Sequence, residues 1–145
     1  MKILAILLYL FISNPVNWLG DFGKAQAEAS VTHKLILINF SGSDWCGPCI
    51  RLRKEILESA KFNDFAAEDL ILVRADFPRQ KKNQLSNDQV KLNEALADKY
   101  NPEGKFPFTL LVDDKGKILK EWDGYPDETP DQFIAQIKTI KKSGH

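Results

Sequence analysis

Cysteine and histidine are scarce: the 145 residues contain 2 Cys and 2 His. Two cysteines cannot staple a disulfide scaffold, and a structural zinc site within one chain is not expected. Excess charge is also missing. Twenty Lys+Arg balance 20 Asp+Glu, for a formal net charge of zero. No global field therefore draws in nucleic acid or an acidic membrane. Long apolar runs are missing as well. The longest, Ile3–Ile12 after Lys2, falls short of the about 20 residues that a membrane-spanning helix needs. What remains is 43% hydrophobic and 28% charged, the balance of an ordinary globular chain long enough for one domain with a real core.

The Lys2 charge, the apolar run and Ser13-Asn14-Pro15 have the order and length of a secretory signal peptide. Residues 1–17 are therefore expected to be that segment and residues 18–145 the folded domain. Ala25-Gln26-Ala27 also fits a small-x-small cleavage rule, but it lies far from the run and inside a helical pattern. Leu19, Phe22, Ala25 and Ala29 share one face there. Cleavage is expected between about residues 14 and 18. The protein is then periplasmic or secreted, and its cysteines meet an oxidising compartment.

Leu35–Phe40 and Leu70–Ala75 are nearly continuous apolar runs, the mark of strands buried on both faces in a parallel sheet. Phe108–Val112 and Lys117–Trp122 flank Asp113-Asp114-Lys115-Gly116 and predict a β-hairpin. Helices are expected from Pro48 to about Ala60, over Phe62–Ala67, and from Ser86 to about Tyr100. The third should pack through Val90, Leu92 or Leu96, and Tyr100. A last helix should start at Thr129, where Pro130 and Gln132 complete a capping-box pattern. The expected order is α-β-α-β-α-β-β-α. Between Phe77 and Leu85 no buried stripe is visible, so an exposed loop is predicted. Arg79, Lys81 and Lys82 make it basic. It reads either as a solvated loop or as a docking patch for an acidic partner.

Chemistry concentrates at Trp45-Cys46-Gly47-Pro48-Cys49. Two cysteines separated by two residues sit where a buried strand gives way to a helix. Cys46 falls at the helix start, where free backbone N–H groups and the macrodipole favour a thiolate. Cys49 lies one turn further in, where it can attack a mixed disulfide formed on Cys46. Pro48 suits a first turn, where its missing N–H is not needed. A purely structural disulfide over so short a loop gives little loop-closure stabilisation, and a metal here needs ligands from a second chain. Redox work is the reading that remains strongest.

Trp-Cys-Gly-Pro-Cys after a hydrophobic strand resembles thioredoxin, over roughly residues 18 to 142. Ser41–Cys46 is similar to secreted bacterial thioredoxin-like proteins of the Bacteroidetes type. The resemblance implies an α/β fold, a three-layer sandwich with a mixed central sheet. It implies that Pro107 is the family's cis-proline, that Gly124 is the glycine near the substrate groove, and that Trp45 shields the motif. Trp45, Gly47, Pro48, Phe106, Pro107 and Gly124 are thus expected to line the groove, with Cys46 attacking and Cys49 resolving. No dissociable cofactor and no metal are needed. The expected activity is thiol–disulfide exchange on protein disulfides outside the cytoplasm, with reduction favoured because Gly-Pro separates the cysteines as in reducing members. Reduction there implies a membrane electron donor. A monomer is expected. Oxidase or isomerase work, and a non-catalytic binding module, are the alternatives.

Three departures from the family pattern stand out. Asn39 occupies the place of the family's buried Asp and cannot act as a base, which leaves Asp44, Asp76 or water to take the Cys49 proton. The loop before Trp45 is slightly longer. The stretch from Asp76 to Phe106 is clearly longer than the usual connection.

Overall fold

The computed structural model describes residues 16–144. In chain order these form β1 (Trp18–Leu19), α1 (Phe22–Thr32), β2 (Leu35–Ser41) and α2 (Gly47–Leu52), which runs on as a π-helical turn over Arg53–Leu57. Next come α3 (Ala60–Asp69), β3 (Leu70–Asp76), a 3-10 turn (Lys81–Asn83), α4 (Asn87–Tyr100), β4 (Phe108–Val112), β5 (Ile118–Asp123) and α5 (Pro130–Lys142).

The sheet order is β1-β3-β2-β4-β5. β3 pairs in parallel with β1 and β2, whereas β4 runs antiparallel to both β2 and β5. The mixed sheet follows from the connections: helices carry the chain across between β1, β2 and β3, and a tight turn at Asp113–Gly116 makes the β4–β5 hairpin.

Side-chain alternation on β2 feeds two cores. Leu35 and Leu37 pack with Leu52, Ile56, Phe62, Phe133 and Ile137 of α2, the π turn, α3 and α5. Ile36, Ile38 and Phe40 pack with Ala25, Ala29, Leu96 and Tyr100 of α1 and α4. Three layers result, as expected. Burial of each such Leu, Ile or Phe contributes about 1.5–3 kcal/mol. The capping box at Thr129 is present in both directions, with Gln132 N–H donating to Thr129 Oγ1 at 3.2 Å and Thr129 N–H donating to Gln132 Oε1 at 2.9 Å.

Several expectations need correction. Leu19 is not part of α1. Trp18 and Leu19 form a short edge strand opposite Leu72 and Val73, and Asp21 caps the helix by accepting from Lys24 N–H. The three-residue step from Leu19 to Phe22 imitates a helical stripe across a chain break. The helix expected from Pro48 to Ala60 ends at Leu57. Glu58 N–H donates to Arg53 C=O, and Ser59 caps a new helix by accepting from Phe62 N–H. On α4, Leu92 faces solvent at 42% exposure while Asn93 is buried. Asn93 takes the inward place because it bonds the end of β3: its Nδ2 donates to Asp76 C=O at 2.9 Å. The segment after Phe77 is exposed as expected, but it carries one 3-10 turn.

Candidate active site

β2 delivers the chain to a tight loop, Gly42 to Trp45, and the loop hands it to α2. Cys46 is the N-cap: its Sγ accepts from Cys49 N–H at 3.3 Å. Its own N–H donates to Gly42 C=O at 2.9 Å. Pro48 sits in the first turn without a broken bond. Cys46 and Cys49 form a disulfide with a Cα–Cα distance of 5.2 Å. Cys49 Sγ accepts a long contact of 3.5 Å from Gly42 N–H. Exposure barely separates the two, at 5% for Cys46 and 3% for Cys49. What distinguishes them is position, the first at the helix start and the second one turn inside. Gly47 and Pro48 are both exposed between them.

Four of the residues expected to line the groove, Trp45, Phe106, Pro107 and Gly124, meet in one chain of contacts. Trp45 lies edge-on to Phe106, with ring centroids 5.5 Å apart. The Phe106–Pro107 peptide is cis. Gly124 N–H donates to Pro107 C=O at 2.9 Å. Gly124 has φ of 84°, a left-handed conformation that explains glycine there. Tyr125, the next residue, donates through its hydroxyl to Glu55, which also accepts from Arg51 at 3.0 Å. The Tyr125 bond, then Arg51, hold the Glu55 carboxyl below its ordinary range. This ties the Gly124 turn to the helical stretch that carries both cysteines.

Trp45 is held from several sides. Its Nε1–H donates to Phe77 C=O at 2.7 Å. The Arg79 guanidinium lies 3.7 Å from its ring centroid, a contact worth about 0.5–1 kcal/mol at an exposed site. Gly42 lets the indole approach: a Cβ there would meet the ring at 2.3 Å.

Neither carboxylate considered for the Cys49 proton bonds that sulfur. Asp76 accepts from Ser43 N–H at 2.9 Å and from Ser43 Oγ. Asp44 accepts from the N–H groups of Arg79 and Gln80, both at 2.9 Å, and from Asn83 Nδ2 at 3.0 Å. Led by the Arg79 N–H, these bonds hold the Asp44 carboxyl below its ordinary range. Asn39 is buried and donates to Thr109 Oγ1 at 3.1 Å. Arg74 is its register partner on β3. By alternation, Asn39, Thr109 and Arg74 share the sheet face that packs α2.

The sequence reading missed Phe77, the stacking of Arg79 on Trp45 and the anchoring role of Asp44. Their contacts join residues more than thirty positions apart, and no local periodicity encodes them.

A mixed sheet between helical layers, with a Cys-x-x-Cys pair at a helix start, defines a thiol–disulfide oxidoreductase. The chain belongs to the thioredoxin-like family, whose domain model matches residues 22–141. It is similar to the disulfide bond reductase DsbH of Chlamydia pneumoniae, with 32% identity over 122 residues, 84% of this chain and 71% of that protein. It is also similar to the thioredoxin-related protein DsbJ of Chlamydia pneumoniae, at 27% identity over 81% of this chain but 33% of that larger protein. Among solved structures, a DsbH oxidoreductase superposes with a TM-score of 0.80 at 29% identity, covering 89% of this chain and 86% of that one. A Thermus thermophilus thioredoxin, at 14% identity and a TM-score of 0.65 over 90% of this chain and 91% of that one, shares the fold.

Proposed function

We propose that the protein reduces disulfides in other proteins outside the cytoplasm. The observation that carries this reading is the Cys46–Cys49 pair at the start of α2, with the Cys46 sulfur accepting Cys49 N–H. The similarity to a disulfide bond reductase supports the direction.

In the reduced state the Cys46 thiolate attacks one sulfur of a substrate disulfide. A Cys46–substrate disulfide forms and the first substrate thiolate leaves. Cys49, having lost its proton, then attacks Cys46 Sγ. The second substrate thiolate leaves and takes up a proton. Two electrons have moved from the protein dithiol to the substrate, and the Cys46–Cys49 disulfide remains. Backbone N–H groups at the helix start stabilise the Cys46 thiolate. The groove formed by Trp45, Gly47, Pro48, Phe106, Pro107 and Gly124 holds the incoming chain extended beside the sulfurs. A membrane-bound donor returns the electrons, because an oxidising compartment has no reducing pool.

Residues 1–17 act as the signal segment in this account; those before Val16 lie outside the described residues. Among the described residues no helix is long and apolar enough to cross a membrane. N-terminal sequencing of exported protein should give a start between about residues 14 and 18; a start at Glu28 contradicts the assignment.

Insulin reduction with dithiothreitol tests the activity. The protein should accelerate precipitation of the insulin B chain, Cys46→Ser should abolish the effect, and Cys49→Ser should accumulate mixed disulfides. No acceleration by the unaltered chain leaves a binding module. Faster alkylation of Cys49 than of Cys46 at neutral pH reverses the two roles.

A further inference from the structure

The segment after β3 is bound to the residue that precedes the reactive motif. Asp44 accepts two backbone N–H groups and one side-chain amide from Arg79, Gln80 and Asn83. Its carboxylate is thereby occupied by neutral donors and not by the cations of the same loop. Among the described residues, Arg79, Lys81 and Lys82 form no ion pair. All three are exposed. Arg79 covers the outer face of Trp45, and Phe106 meets both Trp45 and Phe77 edge-on, at 5.5 and 5.4 Å between centroids. Phe106 in turn leads into Pro107. The loop is therefore one wall of the groove, built on an aromatic base and topped by three unpaired positive charges. On the other wall, Asp123 is engaged by Lys105 at 3.3 Å, and Asp127 is exposed beyond Gly124.

We propose that this loop is a specificity element that selects disulfides whose flanking segment is acidic, with Asp44 as the positioning residue that holds it against Trp45. The proposal rests on the disulfide-reductase reading and names the substrate class for that site. Carboxylates of the incoming chain pair with Arg79, Lys81 and Lys82 while the cysteine reaches Cys46. Opposite charges steer encounter and fix register, and salt weakens both. A chain with basic residues in the same place meets like charge and is disfavoured.

The test uses the reduced full chain and two peptide disulfides of equal length, one with acidic and one with uncharged residues on the side that reaches the loop. The second-order rate is measured for each, and the ratio of the two is the readout, so that each variant carries its own reference. At an ionic strength of about 0.01 M, the acidic peptide should react about tenfold faster, and the ratio should approach one in about 1 M salt. Lys81→Glu with Lys82→Glu should invert the preference, while Lys81→Arg with Lys82→Arg should retain it. Asp44→Ala is the discriminating variant. It removes a negative charge, so a simple count of charges raises the ratio; release of the wall from Trp45 lowers it, which is the expected result. Equal rates for both peptides with the unaltered chain overturn the proposal and leave the reductase reading intact. A raised ratio in Asp44→Ala overturns the role given to Asp44. No reaction with either peptide means that the reductase reading itself has failed.

Discussion

Asn39 donates through Nδ2 to Thr109 Oγ1 across the β2–β4 pair, at 3.1 Å and out of contact with solvent. A carboxamide here accepts no proton, so the chain runs its second step without a base at this place. Asn39→Asp should add one. Burial raises a carboxyl's pKa, so resolution of the mixed disulfide should gain a new dependence on pH, rising above the ordinary carboxylate range, while attack by Cys46 is unchanged. Stopped-flow measurement of the two steps against pH separates them. Unaltered pH dependence would show that this position does not reach the Cys49 proton. The variant should also lose about 1–3 kcal/mol of stability by burying a poorer partner for Thr109.

Gly42 is where the indole of Trp45 comes closest to the backbone. With a methyl group placed at 2.3 Å from the ring, Gly42→Ala must push the indole out or shift the loop. The Trp45 bond to Phe77 C=O and its contact with Arg79 should both weaken. Insulin reduction should fall about tenfold, the equivalent of about 1.4 kcal/mol, with little change in thermal stability. Unchanged activity would mean that the packing of Trp45 does not shape the groove.

The Asp44 carboxyl is held below its ordinary range by the loop N–H groups it accepts. Its folded pKa lies below its unfolded value, so the anchoring is complete above the unfolded value and is lost only as the pH falls through the lowered one. The indole N–H resonance of Trp45 should therefore stay fixed as pH falls through the ordinary carboxylate range and move only below it. In Asp44→Ala it should already be displaced at neutral pH. A shift in the unaltered chain that follows an ordinary carboxyl would contradict this anchoring.

Asn93 joins α4 to the end of β3 at the point where the basic loop begins. Its Nδ2 donates to Asp76 C=O, and its Oδ1 accepts from Gln89 Nε2 at 2.8 Å. Asn93→Leu removes both bonds; Gln89 Nε2 keeps Gly20 C=O at 2.8 Å, whereas Asp76 C=O loses its side-chain donor, and the change should cost about 1–3 kcal/mol in urea unfolding. A cost near zero would mean that an apolar side chain fits this helix face equally well.

The contrast between Leu92 and Asn93 shows what periodicity does and does not reveal. The apolar runs of β2 and β3, the hairpin turn and the capping box at Thr129 were legible, because each depends on residues a few positions apart. Cys46 and Cys49 were legible for the same reason. Of Leu92 and Leu96, offered as alternatives, the buried one is Leu96; helical spacing alone cannot say that a buried asparagine beside Leu92 will bond a distant strand end. Leu19 was misplaced because a strand of two residues is too short to show a period, and only pairing with β3 defines it. The loop after Phe77 hid its order because Asp44, the residue that organises it, lies far away in sequence.

The reduction potential of the Cys46–Cys49 couple, measured at equilibrium against glutathione, tests the central claim most directly. A disulfide reductase should give a value at or below about −230 mV, toward the reducing end of thioredoxin-fold proteins. A value near −120 mV, typical of a strong oxidant, would contradict the account and make the protein a donor of disulfides.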